Sequence, residues 1–186
     1  ARSCGLAHAK GKYHINIDSD TLYPPHYVEI MVDALERKNV VGASSLWSYI
    51  PDQAHPWWQL KIYEFTRDCY LFLQSFKRPE MSVRGMVFAY HTQLAQKVGI
   101  RTHIIRGEDG ALAFGLREYG KLYFVRKRKA RAVTGYGTVS KDGTLFDSFK
   151  VRVMKGLKNI SSLFTSKTEY IDEESNLIIQ KNENSN

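Results

Sequence analysis

Apolar positions along the chain switch repeatedly between strand-like and helix-like spacing. Short apolar or β-branched runs bounded by turn residues predict strands, which cover residues 14–17, 40–46, 83–89, 102–105 and 121–125. Apolar residues at spacings of three and four predict helices, which cover the segment opened by Pro24-Pro25, residues 57–76, residues 92–99 capped by Thr92, and residues 111–119. Because strands alternate with helices, we expect an α/β layered domain.

The chain divides into one main domain and a C-terminal extension. A length of 186 residues, with 43% hydrophobic and 25% charged residues, is typical of a single globular domain. We assign residues 1–148 to that domain. Residues 149–164 have a helical apolar stripe among lysines and arginines, which suits either a membrane surface or packing on the domain itself, and we favour packing. Residues 165–186 are polar and acidic, and we expect a flexible tail.

Cysteine usage and hydropathy favour a cytoplasmic protein. Cys4 and Cys69 are too few and too distant in sequence to form a disulfide framework or a metal motif. No run approaches the ~20 apolar residues of a membrane helix. Because the chain begins at Ala1, we expect N-terminal sequence to be missing, so a targeting segment is not excluded. The inner face of the membrane is a second expected location.

The positive charge is concentrated in the C-terminal half. The formal net charge is +8, and residues 121–158 alone contain eleven basic and two acidic residues. Such a field attracts phosphates, anionic lipids or nucleic acid, although a solvated basic face explains it equally well. No aromatic residues interleave the cluster Arg126–Lys129, so we do not expect nucleic-acid binding.

Two carboxylates follow the first predicted strand. Asp18 and Asp20 lie where the chain turns out of residues 14–17, and ligands of open α/β sheets gather at the C-terminal ends of strands. Carboxylate oxygens suit Mg²⁺ or Mn²⁺. The pattern therefore predicts a metal–diphosphate site, although a solvated turn is the commoner origin of an Asp-x-Asp sequence.

A second acidic pair, Glu108-Asp109, begins a predicted helix. The free N–H groups and dipole of a helix start stabilise carboxylates, so a capping role is one interpretation. The other is a general base that takes a proton from an acceptor hydroxyl. Sugar transfer from a nucleotide needs such a base facing a metal that stabilises the departing diphosphate.

Aromatic and basic residues supply further candidates. Trp57 and Trp58 form either a sugar-stacking surface or a plug in the core, and we slightly favour the core. Arg126–Lys129 together with Arg131 either reach the donor phosphates or form ordinary surface charge.

Several of these segments, in this order, resemble family 2 glycosyltransferases. Residues 1–13 followed by Asp18-Ser19-Asp20 resemble the segment that leads to the Asp-x-Asp motif, although Ser3 replaces the asparagine usual there. Residues 84–89, the helix end at Val98-Gly99, and residues 107–112 resemble the acceptor-side strand and Glu-Asp motif. Residues 129–134 resemble the final core strand. The resemblance covers about residues 1–135.

The resemblance implies a GT-A-like, Rossmann-like mixed sheet flanked by helices, and an inverting transfer from a UDP- or GDP-linked sugar to a saccharide or lipid-linked acceptor. It implies a divalent metal at Asp18 and Asp20, with Asp109 as base supported by Glu108. On the donor side it places Arg2, Asp18, Arg131 and Thr134. The acceptor-side candidates are Trp57, Trp58, Arg84 and Gly85.

Family members begin with a strand and loop that hold the nucleotide base, and this chain has no counterpart of them. We therefore expect an incomplete donor pocket and weak donor binding by this chain alone. Two rival functions stay open. A nucleotidyltransferase on a related fold would attack phosphorus and release pyrophosphate. A basic module would bind anionic lipid or nucleic acid through residues 121–158.

Overall fold

A computed structural model describes residues 2–53, 56–101 and 107–135. The helices are α1 (Arg2–His8), α2 (Tyr27–Leu35), α3 (Trp57–Lys77), α4 (Thr92–Val98) and α5 (Glu108–Leu116). The strands are β1 (Tyr13–Ile15), β2 (Thr21–Leu22), β3 (Val40–Ser45), β4 (Trp47–Tyr49), β5 (Phe88–His91), β6 (Lys121–Val125) and β7 (Ala132–Thr134). Short 3₁₀ turns occupy Pro79–Ser82, Gly85–Val87 and Arg128–Ala130. The strand predicted at 102–105, the helix at 149–164 and the tail at 165–186 lie outside the described residues.

The strands form two mixed sheets. The larger sheet has the order β1-β5-β3-β6, in which β5 is antiparallel to both neighbours and β3 is parallel to β6. The smaller sheet has the order β2-β7-β4, with β7 antiparallel to β2 and parallel to β4. The chain leaves the larger sheet at Ser45 and enters the smaller one at Trp47. The α/β expectation is confirmed.

Helices cover both faces of the larger sheet because successive strand residues point to opposite faces. On one face, α2 packs Met31 against Ala89 and its neighbours in β3 and β6. On the other face, Phe88 and Tyr90 pack with Leu6 of α1 and with residues of α4 and α5. The pairing of β3 with β6 shifts register between Val40 and Gly42, as at a β-bulge.

A third apolar cluster lies between α3 and the smaller sheet. Leu60, Tyr63 and Leu71 of α3 pack against Trp47 and Ala132. The helix predicted at 57–76 is therefore confirmed, with one face of it buried.

The strand predicted at 83–89 is wrong over most of its length. Two 3₁₀ turns carry the chain to Val87, and pairing with β3 begins only at Phe88, opposite Ser44. The apolar run has the sequence pattern of a strand, but Met86 and Val87 pack in a 3₁₀ turn and do not pair with a neighbouring strand. This turn places Gly85 against the N-terminal end of α5.

Two further details differ from prediction. Helix α1 is not predicted from sequence, because Leu6 is its only buried residue and Gly5 interrupts its pattern. The N-cap residue of α4 is His91, not Thr92 as predicted. Thr92 is the first residue of the helix, and its hydroxyl is buried. Gly99 ends α4 as predicted, with a φ of 77°.

Candidate active site

One guanidinium joins acidic residues from two distant parts of the chain. Arg2 Nη2 lies 2.8 Å from Asp18 Oδ1. Its Nη1 lies 3.1 Å from both carboxylate oxygens of Asp109 and 3.4 Å from Glu108 Oε1. The loop after β1 and the start of α5, separated by about 90 positions in sequence, therefore meet at the N-terminal end of α1.

Packing of α1 fixes the position of Arg2. Leu6 is buried in the cluster shared with α4 and α5. Gln96 of α4 donates hydrogen bonds from its side-chain amide to the carbonyls of Leu6 and Ala9 at the end of α1, at 2.9 and 3.1 Å. These contacts satisfy carbonyls that a helix end leaves without partners. Arg2 is thereby held beside α5 by the body of the domain.

Tyr23 ties the Asp18 loop to the turn that contains Gly85. Its hydroxyl accepts a hydrogen bond from the Asp18 N–H at 2.9 Å and donates one to the Met86 carbonyl at 2.8 Å. A tyrosine hydroxyl can do both at once. Tyr23 therefore positions Asp18, a role that the sequence pattern did not indicate, since one tyrosine after a turn carries no recognisable signal.

Gly85 leaves the space that Arg2 and Asp109 occupy. A Cβ at this position would overlap Arg2 Nη1 and Asp109 Oδ2. A larger residue at this position would push the ends of the Arg2 and Asp109 side chains out of their present positions. Gly85 was predicted on the acceptor side, and the structure places it directly against the Arg2–Asp109 contact.

Asp109 is buried enough for its proton affinity to change. Burial raises the pKa of Asp109, and the nearby Glu108 and Asp18 carboxylates raise it further, while Arg2 lowers it. Burial alone would lower the pKa of Arg2, but Asp109, Asp18 and Glu108 reverse the effect and raise it. The net rise for Asp109 makes it a stronger base than an exposed aspartate.

Helix geometry places both acids of α5 in its first turn. Gly107 precedes the helix with a φ of 92°, in the left-handed region that glycine adopts most easily. The helix dipole stabilises Glu108 and Asp109 there. The helix dipole and the salt bridges to Arg2 act on the same two carboxylates. The capping interpretation of Glu108-Asp109 is therefore compatible with the general-base interpretation.

Asp20 lies next to Thr134 through strand pairing. Thr21 pairs with Thr134 across β2 and β7, and the Thr134 hydroxyl lies 3.5 Å from the Asp20 carbonyl oxygen that accepts its hydrogen bond. The Asp20 carboxylate accepts a hydrogen bond from the Thr21 hydroxyl at 3.2 Å. Thr134, predicted near the metal or diphosphate, is therefore a neighbour of Asp20.

Asp18 and Asp20 offer carboxylate oxygens, the type of ligand that a hard divalent cation prefers. No group of three acidic, histidine or cysteine side chains arranged to hold a metal occurs within the described ranges. Mg²⁺, however, is often bound by one or two carboxylates, with water and substrate phosphate completing its shell. Asp18 is partly exposed and Asp20 is exposed, so both carboxylates are accessible to an ion.

The predicted acceptor-side tryptophans are on the surface. Trp57 and Trp58 begin α3, with exposed fractions of 66% and 50%. The core interpretation, which the sequence slightly favoured, is wrong, because the buried face of α3 begins at Leu60. Arg84 donates to the carbonyls of Met81 and Val83 at 3.2 and 2.8 Å, within the loop that leads to Gly85.

Arg131 belongs to a different group of charges. In the described part of the chain it contacts α3 and β4, through ion pairs with Asp68 and Glu64 and a hydrogen bond to Ser48. Its guanidinium is thus engaged in joining β7 to α3. Arg126–Lys129 are exposed, and the Arg126 guanidinium lies 4.3 Å from the centre of the Phe72 ring.

Comparison with known proteins identifies the family. Residues 1–99 match the model described as Glycosyl transferase family 2, which is more than half of the chain and includes Arg2, Asp18 and Gly85. A search of curated proteins gives no match. The two mixed sheets flanked by helices agree with a GT-A-like fold. The chain therefore belongs to glycosyl transferase family 2.

Proposed function

We propose that the chain carries the catalytic site of an inverting glycosyltransferase, in which Asp109 accepts the proton of the attacking hydroxyl. The observation that carries this proposal is the Arg2 guanidinium, which holds Asp18 and Asp109 in one site. Family membership supports sugar transfer as the reaction class.

The reaction needs one proton acceptor and one leaving-group site. An acceptor hydroxyl oxygen forms a bond to the anomeric carbon, the bond from that carbon to the donor diphosphate breaks, and the hydroxyl proton moves to Asp109. The raised pKa of Asp109 suits this task, since a base works best when its pKa approaches the working pH. Arg2 keeps the carboxylate ionised and oriented, and Glu108 shares that guanidinium.

Charge in the site favours a cation. Asp18, Glu108 and Asp109 around the single Arg2 leave a net formal charge of −2 when all are ionised. We propose that Asp18 and Asp20 hold Mn²⁺ or Mg²⁺. When bound, the ion would neutralise charge on the departing diphosphate.

The substrate classes follow from this chemistry. We propose a UDP- or GDP-linked sugar as donor and a saccharide or lipid-linked hydroxyl as acceptor. Exposed Trp57 and Trp58 offer flat apolar surfaces of the kind that stack on sugar rings. Arg84 and Gly85 are proposed on the acceptor side and Thr134 on the donor side. The Arg131 guanidinium pairs with Asp68 and Glu64, so it has no part in this proposal.

The decisive experiment is Asp109→Asn in the full-length protein. Release of nucleoside diphosphate would be measured with a panel of UDP- and GDP-sugars, Mn²⁺ and saccharide acceptors. We expect kcat to fall by about 10²–10⁴, the usual contribution of a general base. Glu118→Gln, an exposed acid just beyond α5, is the matched control and should keep wild-type turnover.

Undiminished turnover of Asp109→Asn would remove Asp109 as the base. The released product separates the proposal from its nearest rival. Nucleoside diphosphate indicates glycosyl transfer, whereas pyrophosphate would indicate nucleotidyl transfer and overturn the proposed function.

A further inference from the structure

Helix α3 has an apolar face that remains exposed in the described part of the chain. Ile62, Phe65, Leu73 and Phe76 are each at least 60% exposed, and they recur at spacings that place them on one side of the helix. We call these four residues the apolar face of α3. The opposite side, which includes Leu60 and Leu71, is buried against the smaller sheet, so the apolar face points away from the domain.

The charges that border this face are all positive. Lys61 and Lys77 are the exposed charged residues of α3, and their positions in the helical repeat flank the apolar face on opposite sides. Both acids of the helix are paired, Glu64 (5% exposed) with Lys61 at 3.1 Å and Asp68 with Arg67 and Arg131. Arg126 stacks on Phe72 of the same helix, at the edge of the basic cluster Arg126–Lys129.

We propose that the apolar face of α3 binds an anionic lipid surface. Apolar side chains on one side of a helix, bordered by lysine and arginine, are the pattern of helices that lie in the membrane interface. The apolar groups would enter the acyl boundary, while Lys77 and Arg126 would meet anionic headgroups. This proposal does not rest on the proposed sugar transfer.

Charge complementarity favours lipid over a second copy of the chain and over residues 149–164. If two copies met face to face, lysines would oppose lysines, with no exposed carboxylate on α3 to pair with them. Residues 149–164 of the same chain are also basic, with Lys150, Arg152, Lys155 and Lys158. Either protein partner would bring like charges together, whereas an anionic bilayer would neutralise them.

The test is flotation of the full-length protein with phosphatidylcholine vesicles, with and without phosphatidylglycerol. We expect binding to the anionic vesicles that weakens in high salt and falls about tenfold or more in the double variant Phe65→Ser/Leu73→Ser, since each buried apolar side chain contributes strongly to partitioning. Val28→Ser/Tyr119→Ser, which removes exposed apolar residues elsewhere, is the matched control and should bind as wild type. All variants should keep the wild-type unfolding temperature, because the altered side chains are exposed.

Two further arms make the result decisive. The variant Lys155→Glu/Lys158→Glu tests whether residues 149–164 bind the vesicles. If this variant loses binding while Phe65→Ser/Leu73→Ser keeps it, residues 149–164 contain the lipid-binding surface and the proposal is overturned. Sedimentation without lipid tests whether a second copy binds this face. If the wild type forms dimers that Phe65→Ser/Leu73→Ser dissociates, and does not bind vesicles, the lipid proposal is overturned. The proposal is also overturned if the wild type does not bind anionic vesicles.

Discussion

At the scale of single residues, the site depends on one glycine. The backbone of Gly85 approaches Arg2 and Asp109 so closely that a methyl group overlaps both. We expect Gly85→Ala to displace the ion pair and to lower kcat/KM by about tenfold or more, since small misplacements of reacting groups are costly. Initial rates at saturating donor and varied acceptor concentration would measure this kcat/KM.

Gly5→Ala is the matched control for this substitution. Gly5 lies in α1, three residues from Arg2, and a Cβ there meets nothing within 4 Å. Alanine suits a helix better than glycine, so we expect equal or slightly higher stability and unchanged turnover. Equal activity of Gly85→Ala and Gly5→Ala would show that the close approach has no role.

Arg2 controls the protonation of Asp109. Burial raises the pKa of Asp109 and Arg2 opposes that rise. A base must be deprotonated to act, so activity should fall as the pH drops through this pKa. Arg2→Gln removes the lowering contribution, the pKa rises further, and the acidic limb of the kcat/KM profile should move to higher pH. An unmoved limb in Arg2→Gln would contradict the assignment of Asp109 as the titrating base.

Asp18, Asp20 and the Glu108-Asp109 pair were selected from sequence because acids that follow strands or begin helices are recognisable chemistry. Tyr23 was not, since its role arises from two backbone contacts made in three dimensions. Trp57 and Trp58 were misplaced because an aromatic run does not reveal which side of a helix faces the core.

At the scale of elements, a buried ion-pair group joins the turn before Gly85 to α5. Glu80 is fully buried, and its carboxylate lies 2.9 Å from Arg78 Nε and 2.7 Å from Arg117 Nη1. Arg117 is the residue that follows the last turn of α5. The turn that precedes Gly85 and the helix that contains Asp109 are thus tied together by the Glu80 side chain.

Glu80→Ala should therefore destabilise the protein substantially. Removing one partner leaves buried or partly buried charge without compensation, which typically costs about 3–5 kcal/mol of unfolding free energy. Urea denaturation would measure it. Glu118→Ala, an exposed acid one residue after Arg117, should change stability by no more than about 0.5 kcal/mol. A similarly small effect at Glu80 would mean that these ion pairs do not hold the turn.

Element prediction succeeded where the pattern was long and periodic. Helices α2 and α3 and strands β3 and β6 follow from their spacing of apolar residues. The segment 83–87 was misassigned because its apolar residues pack in a 3₁₀ turn, which has no distinct sequence period. Strand β4 was not predicted, because the change from the larger sheet to the smaller one at Leu46 depends on which strands lie beside the chain.

At the scale of the whole molecule, a basic protein contains an acidic site. The chain has a formal net charge of +8, yet the group around Arg2 has a net charge of −2 before Asp20 is counted. We expect Mn²⁺ together with UDP or GDP to raise the unfolding temperature, because a ligand that binds only the folded state stabilises it.

Asp18→Asn and Asp20→Asn should each remove most of that shift. Asp33→Asn, on the exposed side of α2, is the control and should keep it. Differential scanning fluorimetry with and without EDTA would make the comparison. An identical shift in all three variants would place the cation elsewhere. In the described ranges, no helix has the length and apolar content to cross a bilayer.

The sequence by itself determined the α/β class, the main helices and the acids of the candidate site, since periodicity and residue chemistry are local properties. Tertiary structure alone decided that Arg2 joins Asp18 to Asp109, that the backbone of Gly85 lies against this ion pair, and that the tryptophans of α3 lie on the surface. These features depend on contacts between segments up to about 100 residues apart. A local pattern does not encode such distances, because the packing of whole elements sets them.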